Sequence, residues 1–332
     1  MDFRRDTPEI FYNRAGRLRS GWRLAVFAVA YFVARNAIFL LTVFGLAFVL
    51  PTKIYNWLLV ESGWGFVIQS FVYFVPAALV GWGCGYVLEE LPWRALGLAL
   101  HRGWLKDALV GVVFGGASVC VAAAVAAVAG GCRFEFPSTF DAQAFARTLI
   151  VSAFIFALAA AAEEMTFRGY ALQTAMRSWP IWLALLPVSL PFAYVHLNNP
   201  NVSRGFTFAN TAIAGAWLAV AYWRTRSLWF PLGIHWGWNW VQGALLGSPV
   251  SGITRLAPAP LLRFDPSGPA WIGGGLYGIE GGAACTLALV VSTLFIWHTR
   301  LVSATPELRQ FTDGENPNPT VKPLDLTREM ER

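Results

Sequence analysis

Charge is what this sequence has least of. Asp, Glu, Lys and Arg make up 13% of its 332 residues, where a soluble domain carries about 25%. With 56% of the residues apolar, the chain has too little polar surface to cover a core, so its outer solvent must be largely lipid. Cysteine is scarce as well. Cys84, Cys120, Cys132 and Cys285 show neither disulfide nor zinc-ligand spacing. Cys84, Cys120 and Cys285 lie in apolar stretches, where they read as small hydrophobes packing between helices. None of the four histidines sits in HExxH, which removes the usual zinc-protease motif. There is no GxGD, no Asp central to an apolar segment and no GxSG, so paired-aspartate and serine–histidine intramembrane chemistry find no support. A signal peptide is not expected, because a charged arm of about 20 residues precedes the first apolar run and no cleavage site is evident. A continuous basic face is also missing. The net charge of +6 comes from Arg4, Arg5, Arg14, Arg17, Arg19 and Arg23 near the N-terminus and from short loops elsewhere, a pattern for anionic lipid headgroups and not for nucleic acid.

What is present is long apolar sequence. Sixteen tryptophans and nine tyrosines suit two membrane–water interfaces. Windows of about 20 apolar residues predict an all-α, polytopic membrane helix bundle of about eight transmembrane helices. The spans are placed at 22–50, 66–88, 107–129, 145–170, 180–197, 206–223, 228–247 and 274–299. They divide the chain into a basic N-terminal arm (1–21), N-terminal transmembrane helices (22–144), a core (145–247), a connecting loop with the last span (248–300) and a disordered tail (301–332, polar from about Thr305). Arg35 and Asn36 in the first span should face neighbouring helices. Gly111, Gly115, Gly116 and Ala117 in the third permit close helix approach. Loop charges set the orientation. Arg94, Arg102 and Lys106 follow span 2, and Arg224 and Arg226 follow span 6, whereas Lys53 and Arg133 stand alone after spans 1 and 3. Basic residues thus collect at every second connection, which puts both termini in the cytoplasm of a multi-pass protein of the plasma membrane.

Ionisable groups inside spans cost about 2.5–3.5 kcal/mol each and need a reason. Three clusters hold them: Glu163, Glu164 and Arg168 in span 4, Phe192 and His196 at the end of span 5, and His235 and Asn239 in span 7. Glu164 and Arg168 are four residues apart on one helical face, which predicts an internal ion pair; Glu163 points about 100° away, towards a different neighbour. His235 and Asn239 share a face by the same spacing, and Phe192 packs beside His196. A carboxylate desolvated in an apolar bundle suits a general base acting on water. Two imidazoles and an amide could hold a metal or donate to the oxyanion of a tetrahedral intermediate. Convergence requires span 5 to be bent or to start below the surface, and Pro187 and Pro191 permit this.

These motifs, EExxxR at 163–168, FxxxH at 192–196 and HxxxN at 235–239, occur in that order on separate apolar segments. They resemble the signature of the CPBP (CAAX protease and bacteriocin-processing, or Abi) family of intramembrane endopeptidases. RGY at 168–170 and GIEGG at 278–282 are also similar to that family. The resemblance covers roughly 145–245. It implies that Glu163 activates water, that His196, His235 and Asn239 complete the catalytic site, and that Glu164, Arg168 and Phe192 support it. A zinc ion on His196 and His235 is possible but not favoured, because Asn is a poor zinc ligand and the set is one strong ligand short unless Glu163 coordinates. The partners implied are a peptide or protein substrate, reaching the site from the membrane or the cytoplasmic side, and the lipid bilayer. Two other readings compete with the enzyme. One is a catalytically idle scaffold or immunity-type protein of the same fold. The other is a small transporter with a proton relay, against which the lack of an inverted repeat argues.

Overall fold

The computed structural model describes residues 10–13 and 16–313. Among them the helices are α1 (Ser20–Val49), α2 (Thr52–Asn56), α3 (Trp64–Glu89), α4 (Trp104–Val128), α5 (Ala142–Arg168), α6 (Tyr170–Ser178), α7 (Ile181–Ala184), α8 (Leu186–His196), α9 (Arg204–Thr225), α10 (Trp229–Trp240), α11 (Ala270–Gly273), α12 (Ala283–His298) and α13 (Pro306–Thr312). Helices α1, α3, α4 and the run Ala142–Ser178 are long and apolar enough to cross a membrane, and Ile181–His196 and Ala283–His298 are shorter apolar segments. The chain is a polytopic helical membrane bundle. Its apolar outer face has the exposure of a lipid contact: on α1, Leu41 and Phe48 are 74% and 93% exposed, as expected for a helix hydrophobic all round.

Several expected spans are interrupted. The fourth breaks at Gly169, whose N–H reaches back to the Glu164 carbonyl at 3.0 Å, and α6 follows from Tyr170. The fifth breaks at Leu185, with Pro187 in the first turn of α8 and Pro191 inside it. The seventh finishes as a π-turn, Val241–Leu245. In the last, GIEGG does not lie in a membrane helix; it forms turns ahead of α12, with Gly278 at φ 96°. Asn36 bonds the Phe32 carbonyl of its own helix at 2.7 Å rather than a neighbour. Cys84 and Cys285 are buried as expected, but Cys120 is exposed.

The tightest packing is between α4 and α10. A Cβ at Gly115 would lie 2.0 Å from the Ile234 carbonyl oxygen, and one at Gly237 would lie 2.1 Å from that of Val112. Backbone therefore rests on backbone, the arrangement small residues allow in membranes, and it locks the helix that carries His235. Two short strands, β1 (Arg133–Glu135) and β2 (Arg263–Asp265), pair antiparallel with Phe134 opposite Phe264, a feature absent from the sequence expectation. The tail, expected to lack structure from about Thr305, starts as helix α13, with Leu308 and Thr312 buried; its residues after 313 lie outside the described ones.

Candidate active site

Helix α5 begins at Asp141, whose carboxylate accepts from the Gln143 and Ala144 N–H groups. An alanine run, 159–162, then keeps its girth small before the paired glutamates. Glu164 and Arg168 are completely buried and paired at 3.0 Å, as the four-residue spacing predicts. Arg168 also donates to the Gly215 carbonyl at 3.1 Å, and its guanidinium carbon lies 4.5 Å from the centre of the Phe192 ring. Glu164 does more than pair. The oxygen that receives Arg168 accepts as well from His235 Nδ1 at 2.9 Å. Both carboxylates thus address His235, from its two ring nitrogens, a contact that helical spacing alone does not reveal.

Glu163 is the open one. Its side chain is 33% exposed, and its Oε2 lies 3.7 Å from His235 Nε2 and 3.9 Å from His196 Nε2. Those distances are too long for direct hydrogen bonds and short enough for a small group to bridge. His196 donates from Nδ1 to the Phe192 carbonyl at 2.7 Å. A carbonyl and a carboxylate can only accept, so both histidines carry hydrogen on Nδ1 and, when neutral, turn a bare Nε2 towards Glu163. Phe192 sits among these groups, its ring centre 4.7 Å from that of His196 and 6.2 Å, edge on, from that of His235.

The depth problem of His196 is answered by the break at Leu185. Helix α8, at 11 residues, rises only about 16 Å, and its C-terminal histidine lies with Nε2 3.9 Å from Glu163. The structure thus brings together Glu163, Glu164, Arg168, Phe192, His196 and His235. Asn239 is half-buried one turn beyond His235 on α10, and its place beside the others rests on that spacing. Among the described residues, no group of three or more His, Cys, Asp and Glu is arranged to hold a metal ion.

Sequence reasoning missed the flank of the site. Glu280 accepts from Trp238 Nε1 at 3.2 Å and from the N–H and hydroxyl of Ser251 at 2.5 and 3.0 Å. Asn210 binds the carbonyls of Glu280 and Gly282. A carboxylate in the apolar stretch before α12 is the signal for it in the sequence. Its bonds tie the 246–282 loop to α9 and α10 beside the histidines.

Residues 144–241, from the start of α5 to the end of α10, match the family model of type II CAAX prenyl endopeptidase, Rce1-like. No curated protein and no solved structure matches the chain. The matched segment contains all three motifs, and it points to a protease of the membrane.

Proposed function

We propose that this protein is an intramembrane endopeptidase in which Glu163 activates the water that attacks a peptide carbonyl. The observation that carries the reading is the convergence of the Glu163 carboxylate with two imidazole Nε2 atoms at 3.7 and 3.9 Å. A water held beside these three atoms gives its proton to Glu163 as its oxygen bonds the carbonyl carbon; on collapse, Glu163 returns that proton to the leaving amine. The Asn239 amide donates to the oxyanion without changing protonation state. A protonated His196 or His235 donates through Nε2–H, each such donor contributing about 2.7–4 kcal/mol. Glu164 keeps His235 in the required tautomer and offsets its positive charge.

Zinc is the less favoured alternative. His196 and His235 would offer it two imidazoles, each backed at Nδ1 by an acceptor, and the ion would supply Lewis-acid activation of the water, but the described residues form no three-ligand group arranged for a metal. If Glu163 coordinated as well it would be a less available base, and Asn239 is a poor further ligand, so the donor count favours the glutamate mechanism. The basic loops support an orientation with both termini in the cytoplasm and the site opening on that side.

The test is comparative proteomics of membranes from cells carrying the wild type or Glu163→Ala. A peptide cut only in the first is expected; identical cleavage profiles would return the protein to the scaffold reading. For the purified protein, stoichiometric zinc, with activity lost on chelation and restored on adding the metal back, would replace glutamate chemistry with metal chemistry.

A further inference from the structure

Glu280 stands in the short turn Ile279–Gly281 ahead of α12, and the proposed mechanism gives it no part. Its two oxygens reach separate elements. Oε1 accepts from the Trp238 indole of α10 at 3.2 Å, and Oε2 accepts from the N–H and hydroxyl of Ser251 at 2.5 and 3.0 Å. An indole and a backbone N–H can only donate, and a carboxylate offers them an acceptor on each oxygen. One side chain therefore joins two parts of the chain that flank the histidines.

The first part is α10. Trp238 lies between His235 and Asn239, and this helix rests on α4 through bare backbone: a Cβ at Gly233 would lie 2.2 Å from the Ala108 carbonyl oxygen, and one at Gly237 2.1 Å from that of Val112. Such a contact sets the distance between the helices but offers no side chain to key the roll of α10 about its axis. The Trp238 indole, edge-on to the Trp217 ring of α9 at 5.5 Å and bonded to Glu280, supplies that key. The second part is the segment after His196. Ser251 holds a φ of 49°, a left-handed conformation that residues with a side chain rarely adopt, and two bonds to Glu280 keep it there. Gly252 then donates to the Tyr277 carbonyl at 2.9 Å, and a Cβ on it would lie 2.1 Å from the Pro200 carbonyl oxygen. The turn at 251–252 is thus pressed against the 197–203 segment, and Glu280 itself is within electrostatic reach of His196. Backbone held in so rare a conformation persists only where its surroundings over-determine it.

We propose that Glu280 is a positioning residue of the site: through Trp238 it sets the roll of α10, and through Ser251 the placement of the segment after His196, so that His235, Asn239 and His196 meet Glu163 in register. This rests on the reading of those four residues as the catalytic set. Glu280 touches none of the reacting atoms, so its loss acts on geometry. A misplacement of about 1 Å costs as much as a hundredfold in rate, while surfaces that hold the rest of a peptide are left in place. The signature is a fall in kcat at constant KM.

The test uses the full-length protein in detergent and the peptide that only the wild type cuts in the membrane comparison, made with a quenched fluorophore. Cleavage per folded molecule is measured for Glu280→Gln, Glu280→Asp, Trp238→Phe and the Trp238→Phe/Glu280→Gln pair. Glu280→Gln and Trp238→Phe should each lower kcat by about tenfold to hundredfold with KM unchanged, and Glu280→Asp, which keeps both acceptors, should recover part of the loss. The pair should lose little more than Glu280→Gln alone, because the second change removes a bond already broken. Hydrogen exchange in Glu280→Gln should rise at 196–203 and 235–241 and stay as in wild type along α1 and α3. Lower stability with kcat kept, a change in KM alone, or losses that multiply in the pair overturns the proposal. If the wild type cuts no peptide, exchange decides: a rise at both segments keeps Glu280 as their common anchor and removes the proteolytic reading, and no rise removes the anchor.

Discussion

Glu89 and Glu163 are both carboxylates among membrane helices, and their surroundings differ in one respect. Glu89, at the end of α3, is enclosed by Arg23 of α1 at 3.4 Å, Arg177 of α6 and the Thr174 hydroxyl at 2.7 Å. The side chains of Arg23, Glu89 and Arg177 are only 1%, 2% and 5% exposed. Every group aimed at this carboxylate is a cation or a donor, and it fastens three helices to one another. Glu163 is one-third exposed and faces the Nε2 atoms of two imidazoles, beyond bonding distance. Enclosure by cations and a hydroxyl suits a fastener; the partly exposed Glu163, with accepting capacity unspent, suits the base proposed above. Glu164 stands between the two, buried and paired with Arg168 like Glu89, yet bonded to the same imidazole that Glu163 faces.

The largest expected effect tests the two ends of that comparison. Glu163→Gln should lower cleavage by about 10²–10⁴, the range of general-base catalysis, with abundance near normal because no ion pair is broken. Glu89→Gln should do the reverse, weakening the fold by about 3–5 kcal/mol as one partner is removed from a buried charge cluster, while the folded fraction cleaves normally. Activity per folded molecule, alongside thermal stability in detergent, separates the two. If both substitutions lowered stability alone, Glu163 would be another fastener.

Next comes Glu164. Helical spacing alone predicts a structural latch whose loss strands Arg168, and the ion pair at 3.0 Å has that form. The His235 bond on the same oxygen changes the expectation. Glu164→Gln should weaken the fold by about 3–5 kcal/mol and also reduce activity per folded molecule by about tenfold to hundredfold, as loss of an imidazole's orienting partner does. An activity unchanged after correction for folding would restore the simple division of labour.

That gap shows what the sequence could and could not reveal. Residues four apart on one helix, such as Glu164 and Arg168 or Phe192 and His196, are legible because helix geometry fixes them. Contacts between helices are not: the bond from His235 to Glu164 joins positions 71 apart, and the Glu89 cluster joins residues of three helices far apart in sequence. The break at Leu185 was only permitted by Pro187 and Pro191, and the short helix after it ends at His196. The β1–β2 pair was invisible because three-residue strands carry no periodicity to detect.

A smaller effect is expected where the site is held by packing and not by charge. Gly115 and Gly237 allow α4 to press its backbone against α10, and α10 carries His235. Gly115→Ala puts a methyl 2.0 Å from the Ile234 carbonyl oxygen, so the helices must part. Overpacking of this kind costs about 1–3 kcal/mol. Since His235 moves with α10, cleavage should fall together with stability, whereas Gly83→Ala, whose Cβ meets nothing within 4 Å, should leave both unchanged. Equal behaviour of the two alanines would mean that the close approach does not hold the site.

The smallest effect belongs to the outer clasp formed by α13. Glu307 meets Arg94 at 3.2 Å, with side chains 50% and 35% exposed, and Asp313 meets Arg226 at 2.8 Å, with 46% and 10% exposed. Burial pulls the Arg226 guanidinium below its ordinary value and Asp313 pulls it back up, so these two pairs differ in kind. The Arg94–Glu307 pair is open to water and salt, where such contacts contribute about 0–1 kcal/mol. Glu307→Gln should therefore shift stability by no more than that, and the shift should vanish in high salt. Asp313→Asn should cost more and keep its effect in salt, because Arg226 would lose its carboxylate while remaining mostly enclosed. Cleavage per folded molecule should be normal in both, since neither pair touches Glu163 or the histidines. A salt-insensitive loss in Glu307→Gln equal to that in Asp313→Asn would show that the clasp works as one buried unit, closer in kind to Glu89 than its exposure implies.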